Sequence, residues 1–239
     1  MIDAASLAEA NIVYRHPNLY DELTHADDQA DTVARVVADL GARVATVLDL
    51  GCGTGRDLGI FRNRCGWSGV GIDLQPQMID YARTTRPDLD LRVGDLRDLR
   101  LHARFDLITC LGNSLAYLHT DRELAAVAET ASEHAHPGAL LIINTLTTPP
   151  PEASDSSHRV HTADGDATVT INSRWHPDTR LHTTSRAWDF DHGGSALDRL
   201  VRRVIARDEL DAILAGAHFE TVRGHESPFA VYQAPDRRL

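Results

Sequence analysis

Three acidic residues, Asp49, Asp73 and Asp95, each close a short apolar run. The first sits inside VLDLGCGTGRDLGIF, residues 47 to 61, where glycines follow at alternate positions. Gly51, Gly53 and Gly55 lack the Cβ atoms that would keep a ligand off the backbone. The helix expected after them offers its N–H groups to a negative group. Asp73 stands 22 residues beyond Gly51, the distance at which an acid reaches ribose hydroxyls. A dinucleotide and an adenosyl ligand both fit this far. The turn runs G-C-G-T-G rather than G-x-G-x-x-G, and Asp49 before it would repel a pyrophosphate but suits a cationic amine. Asp95 is placed to accept a hydrogen bond from an exocyclic adenine amine, while the Leu96 backbone N–H donates to the ring.

These residues need a strand-and-helix frame, and the pattern supplies one. Val33, Val36, Val37 and Leu40 recur at helical spacing and end at Gly41, TVLDL reads as a buried strand, and TGRDLGIFRNR reads as the helix after the turn. The unit repeats as SGVGID with a helix opened by Pro76, then LDLRVGD, then FDLITCL. Thr120 with Glu123 three residues on is a capping box for a further helix, and ALLIINT is a fifth strand. Strands alternating with helices imply a parallel sheet covered on both faces, an α/β fold. After residue 146 the period changes: TTPPPEASDSSH reads as a loop, and TVTINSRW, RLHTTSRAWDF and DRLVRRVIA as antiparallel strands of an inserted lid. A helix at RDELDAILAGA and two closing strands, HFETVRG and SPFAVYQA, return to the main sheet.

Composition removes several function classes. The chain of 239 residues has a net charge of −11, and no basic run offsets it, so nucleic acid is not an expected partner. All 24 basic residues are arginine, which excludes a lysine Schiff base and the lysine of a phosphate-binding P-loop. Cys52, Cys65 and Cys110 match no disulfide framework or metal pattern, as expected of a cytoplasmic protein. Neither an export signal nor a membrane span is read in the sequence.

The run VLDLGCGTGRD, then GVGIDLQPQMIDYAR, then VGDLRDL resembles the successive motifs of class I S-adenosylmethionine-dependent methyltransferases, over residues 26 to 146. The resemblance implies S-adenosyl-L-methionine as cofactor and a doubly wound, mostly parallel, seven-stranded Rossmann-like sheet with an inserted antiparallel β lid. Residues 1–146 would form the N-terminal segment and cofactor half, 147–206 the lid, and 207–239 the closing helix and hairpin. By the same resemblance Asp49 and Gly51 lie near the methionine amine, with Cys52 and Gly53 in the turn. Asp73 binds the ribose diol, Leu74 and Met78 pack on adenine, and Gly94, Asp95 and Leu96 meet its edge. FDLITCLGNSLAYL looks like the fourth-strand segment of glycine and sarcosine N-methyltransferases and, more loosely, of amino-sugar N-methyltransferases. That likeness brings Leu111, Gly112, Asn113 and Ser114 to the cofactor, and NLYDELTH brings an N-terminal segment with Tyr14 and Tyr20. IINTLTTP lacks the substrate-carboxylate arginine of the glycine enzymes, so glycine is not the expected acceptor. ADDQAD occupies the place of their cofactor-carboxylate arginine, which leaves Arg56 as its substitute.

Methyl transfer is an in-line displacement that asks the protein to align a lone pair and exclude water, with no nucleophilic residue. Asn113 would orient, and Tyr117 or His119 would shape the pocket or take a proton, although His119 also reads as an exposed residue before a helix cap. Trp175 and Trp188 would form an aromatic wall or only the lid's core. His134, His136, His158 and His161 bring no further ligand at metal spacing and read as exposed, so no metal is expected. Asp27, Asp28 and Asp31 read as a helix N-terminus. The expected activity is methylation of a small polar metabolite, an amine slightly preferred. An O-methyltransferase acting on a hydroxyl or carboxylate, a nicotinamide-dependent oxidoreductase and a non-catalytic adenosyl-ligand sensor remain open, as does a homo-oligomer.

Overall fold

The computed structural model describes residues 3–24, 28–161, 165–223 and 227–236, so Asp27 of the acidic cluster lies outside the described residues. The chain opens with three short helices, α1 (Ala4–Ala10), α2 (Ile12–Arg15) and α3 (Pro17–Thr24), followed by α4 (Gln29–Asp39). On α4, Val33, Val36 and Val37 are buried, and Gly41 beyond its end takes φ +62°. There follow β1 (Thr46–Leu50), α5 (Arg56–Ile60) widening into a π-helical turn at Phe61–Cys65, β2 (Ser68–Asp73), α6 (Pro76–Thr85), β3 (Asp90–Val93) and β4 (Phe105–Cys110). Then come α7 (Asp121–His134), whose Thr120 and Glu123 form the expected capping box, and β5 (Ala135–Ile143).

A second set of strands follows: β6 (Ala153–Val160), β7 (Ala167–His176), β8 (Leu181–Phe190) and β9 (Ser195–Arg203). The chain closes with α8 (Arg207–Gly216), β10 (Glu220–Thr221) and β11 (Ala230–Gln233). The main sheet has the order β10-β11-β5-β4-β1-β2-β3, parallel except for the pairings of β11 with β10 and β5. Its order reverses between β1 and β4, which is where an open α/β sheet leaves a crevice at its carboxyl ends.

Both faces of the main sheet are covered at its centre, so β1, β4 and β5 are largely apolar and buried, while the edge strands β3 and β10 carry exposed polar residues. Leu48, Leu50, Ile72 and Ile108 pack with α7 and α8 on one face, while Val47 and Leu107 pack with α4, α5 and α6 on the other. The second sheet, β6-β7-β8-β9, is entirely antiparallel. It encloses a third, small core in which Ile12, Val13 and Leu19 of the N-terminal helices meet Val169 and Trp188.

Two expectations are corrected. The stretch ASDSSHRV is a strand and not a loop: β6 pairs along β7 from Ala153↔Arg174 to Val160↔Ala167. Every residue from Ala153 to Arg159 is exposed, so the strand carries no apolar alternation and is held by its backbone ladder. His134 is not exposed. It is buried, its Nδ1 lies 2.7 Å from the Thr130 carbonyl, and its Nε2 accepts from the Leu101 N–H at 2.9 Å.

Candidate active site

The glycine turn serves as both bend and cradle. Gly51, Gly53 and Gly55 all have positive φ, at 78°, 55° and 73°, a conformation that side-chain-bearing residues resist. The N–H groups of Gly51 and Cys52 both donate to the Ile72 carbonyl, pinning the turn to β2. A Cβ on Gly51 would lie 2.4 Å from Ser114 Oγ, so the missing atom lets the far wall of the crevice approach. At Gly55 the space is taken by Leu91 instead, which is packing and not ligand access.

Above this turn the crevice holds two chambers that share Tyr14, Gly51, Asp73, Ser114 and Tyr117. The first, of about 70 Å³, adds Leu74, Gln75, Asp95, Leu96 and Arg97 from the ends of β2 and β3. The second, of about 200 Å³, adds Tyr20, Gly53, Met78 and Gly112, with Arg186 and Arg202 from the second sheet. The α1 helix lies across the first chamber, where Leu7 lines the wall and the Ala4 carbonyl accepts from Gln75 Nε2 at 3.0 Å.

The acids are held in different ways. Asp73 accepts one backbone N–H on each oxygen, from Gly53 and Gln75, both at 2.8 Å. Burial outweighs those bonds and lifts its carboxyl above the ordinary value. Asp95 is gripped by Arg97, 2.6 Å from Nη2, and Arg97 also reaches Glu123 at 2.8 Å. Burial alone would raise the Asp95 carboxyl, but the Arg97 bonds prevail and hold it low. Asp49 lies beneath the turn rather than in the wall, accepting from Thr109 Oγ1 at 2.7 Å. Burial, then the neighbouring Asp57 charge, pushes it up to about 7. A buried acid in that state is ready to pair with a cation.

The shared wall carries Tyr14 and Tyr117, ring centroids 6.4 Å apart. Burial, then the Tyr117 neighbour, drives the Tyr14 hydroxyl well above its ordinary range, so it stays protonated. Tyr20 covers the turn, its ring 3.4 Å from where a Gly53 Cβ would stand.

Other sequence-expected residues stand outside both chambers. Cys52 packs against Gly71 under the turn, and Leu111 is part of the sheet's core. The Gly94 N–H donates to the Asp73 carbonyl at 2.9 Å, which is a structural link between β2 and β3. Asn113 has φ +65° and its N–H donates to the Asn144 carbonyl, so it shapes the turn after β4. Arg56 faces away, bonded to Asp57 at 2.9 Å and to the Thr24 carbonyl. His119 places Nε2 3.1 Å from the Val201 carbonyl of β9. Trp188 is buried in the third core with Nε1 3.3 Å from Asp198, away from either chamber.

Sequence reasoning misses Arg97, Gln75, Arg186 and Arg202. The signal for Arg97 is present in GDLRDL, two residues past the acid, and Leu200 and Arg202 share one face of a strand by their spacing.

An adenosyl cofactor fits this donor set on one observation above the others. Gln75 Oε1, in the wall of the first chamber beside Asp73, is buried and has no hydrogen-bond partner, as a site for a hydroxyl donor requires.

The comparisons agree with the geometry. A family model described as a methyltransferase domain matches residues 47–138. The chain is 33% identical over 115 residues to dTDP-3-amino-3,4,6-trideoxy-alpha-D-glucopyranose N,N-dimethyltransferase of Streptomyces venezuelae, an alignment covering 48% of each protein. It is 32% identical over 136 residues to glycine/sarcosine N-methyltransferase of Parasynechococcus marenigrum, covering 54% of this chain and 47% of that one. The chain thus spans about half the length of these relatives. Among solved structures, SAM-bound CalS10, an amino pentose methyltransferase from Micromonospora echinaspora, superposes with a TM-score of 0.74 at 26% identity, covering 95% of this chain and 96% of that one. The likeness read from the motifs is met on both sides, by an amino-sugar enzyme and by a glycine enzyme. Residues 47–138, which match the methyltransferase-domain model, lie within a Rossmann-like, mostly parallel seven-stranded sheet.

Proposed function

We propose that the chain is an S-adenosylmethionine-dependent methyltransferase whose acceptor is an amine on a small sugar-like molecule. The observation that carries this reading is the joining of the two chambers at Tyr14, Gly51, Asp73, Ser114 and Tyr117, which sets a recess walled by Asp73, Gln75 and Asp95 against a larger one walled by Tyr20, Arg186 and Arg202. Asp73 and Gln75 would hold ribose hydroxyls and Asp95 and Leu96 the adenine edge, while Asp49, buried beneath the turn, would favour the cationic amino group of the methionine part by its charge rather than by direct contact. The bound cofactor supplies a methyl carbon made electrophilic by its sulfonium. The protein's part is alignment and exclusion of water. Tyr14, which stays protonated, offers a neutral hydroxyl at the junction, and α1 with the second sheet acts as the lid. The aligned relatives named above are N-methyltransferases, which supports an amine acceptor.

The test is transfer of a labelled methyl group. With labelled S-adenosylmethionine, label should pass to a dTDP-linked amino sugar and not to its hydroxyl counterpart. Label on the hydroxyl compound alone would replace the amine reading.

A further inference from the structure

The second chamber carries a positive charge, on Arg202, that no carboxylate among the described residues pairs with. Three arginines line the cleft. Arg97 is spent on Asp95 and Glu123, and Arg186 on Asp198, whose side chain is fully buried. Arg202 has no carboxylate partner among the described residues. Its Nη2 makes one long contact, 3.4 Å to Thr184 Oγ1, and its buried Nε has no acceptor. Directly opposite on β8 stands His182, whose Nδ1 is also buried and unpartnered. Burial, then the Arg202 charge, lowers the His182 pKa, so His182 brings no second cation to compete.

The inward face of the sheet explains the placement. By strand alternation Asp198, Leu200 and Arg202 share one face of β9, and His182, Thr184 and Arg186 share one face of β8; Asp198 and Leu200 are buried between exposed or half-exposed neighbours, while Arg202 is half-buried beside the buried Arg203. In a chain with a net charge of −11, an inward guanidinium left without an acid is unusual, since carboxylates are abundant everywhere else. A guanidinium fork with unpaired N–H groups matches a carboxylate or phosphate.

We propose that Arg202 is an anion subsite for the acceptor, so that the amine which is methylated belongs to a molecule that also carries a carboxylate or phosphate. This inference rests on the methyltransferase reading. The same chemistry has a second source, the carboxylate of the cofactor's own methionine part, and the experiment separates the two.

Inorganic pyrophosphate would be titrated calorimetrically into the full chain loaded with S-adenosylhomocysteine. The wild type should bind it with an affinity that falls as salt is raised. Arg202→Gln should weaken pyrophosphate at least tenfold, Arg202→Lys should recover part of the loss, and Arg199→Gln, on the exposed face of the same strand, should change nothing. Affinity for S-adenosylhomocysteine should stay within twofold in Arg202→Gln. Pyrophosphate binding unchanged in Arg202→Gln, or absent from the wild type, would overturn the proposal. So would a tenfold loss of S-adenosylhomocysteine affinity with 5′-methylthioadenosine unaffected, because the guanidinium would then serve the cofactor carboxylate. Should Arg202→Gln fail to fold, the Lys variant and the salt dependence carry the same decision. Failure of the wild type to bind S-adenosylhomocysteine would sink the methyltransferase reading, while pyrophosphate titrated into the unloaded protein would still decide the anion subsite.

Discussion

The two sides of the cleft are built by opposite means. The floor belongs to the main sheet, where apolar strands bury both faces and deliver acids at their carboxyl ends. The cover, made of the N-terminal helices and the second sheet, is held by a small core and by polar contacts: Arg203 of β9 pairs with Asp121 and Glu209, Asp21 of α3 bonds Thr54 and Arg86, and a buried network centres on Asp198. In that network Asp198 accepts from the Ile12 N–H at 3.2 Å, from Arg186 at 2.8 Å and from Trp188 Nε1 at 3.3 Å, while Arg186 also donates to Asn11 Oδ1 at 2.7 Å. The floor is fixed by burial that many residues share. The cover depends on a few contacts and is the part that can be loosened alone.

The sharpest way to break that contrast is Asp198→Ala. Removing one partner of a buried ion pair leaves the other charge stranded and costs about 3–5 kcal/mol. The expected outcome is proteolytic cleavage within residues 3–24 and loss of hydrogen-exchange protection in the second sheet, with the amides of β1, β4 and β5 still protected. Equal loss of protection in both sheets would show that floor and cover are one cooperative unit.

A smaller effect, of opposite sign, is expected on the floor. The native state holds a proton on Asp49 up to about pH 7, whereas the unfolded chain releases it near its ordinary 3.8. The folded protein without cofactor therefore loses stability as pH rises between those values and does not regain it above them. Asp49→Asn keeps an oxygen for Thr109 and removes the charge. At pH 8 it should stabilise the cofactor-free protein by roughly 2–4 kcal/mol, since each pH unit between the two values is worth at most about 1.36 kcal/mol, and it should flatten the stability profile across that interval. Urea titrations across that range check it, and S-adenosylhomocysteine binding should weaken in the same variant.

The smallest effect concerns the joint between the two regions. Glu123 accepts from the backbone N–H groups of His119 and Thr120 and pairs with Arg97, and His119 touches the carbonyl of Val201. Thr120→Ala breaks the capping box and should cost about 1 kcal/mol. Melting measurements should show that loss with cofactor affinity nearly unchanged.

How far each region could be read from sequence follows the same division. On the floor, local signals coincide with burial: alternate glycines force positive φ, Pro76 opens α6, and Thr120 with Glu123 caps α7. The central strands there, β1, β4 and β5, are largely apolar because both their faces are covered. In the cover, β6 has no apolar pattern because both its faces meet solvent, so nothing in ASDSSHRV marks a strand. The pairing of Arg186 with Asp198 follows from the β8–β9 register, which spacing alone does not fix. Arg56 and His134 mislead for a related reason. Each is defined by distant partners, Thr24 for the one and Leu101 for the other.

The central claim is that Asp73, Gln75 and Asp95 face one nucleoside recess over the glycine turn, and equilibrium binding of S-adenosylhomocysteine tests it most directly. The wild type should take up one equivalent per chain and ignore NAD. Asp73→Asn, which keeps an acceptor for the backbone, should bind at least a hundredfold more weakly, the loss of about 3 kcal/mol expected for charge-assisted bonds to two hydroxyls. Affinity left unchanged by Asp73→Asn, or binding of NAD in place of S-adenosylhomocysteine, would contradict it.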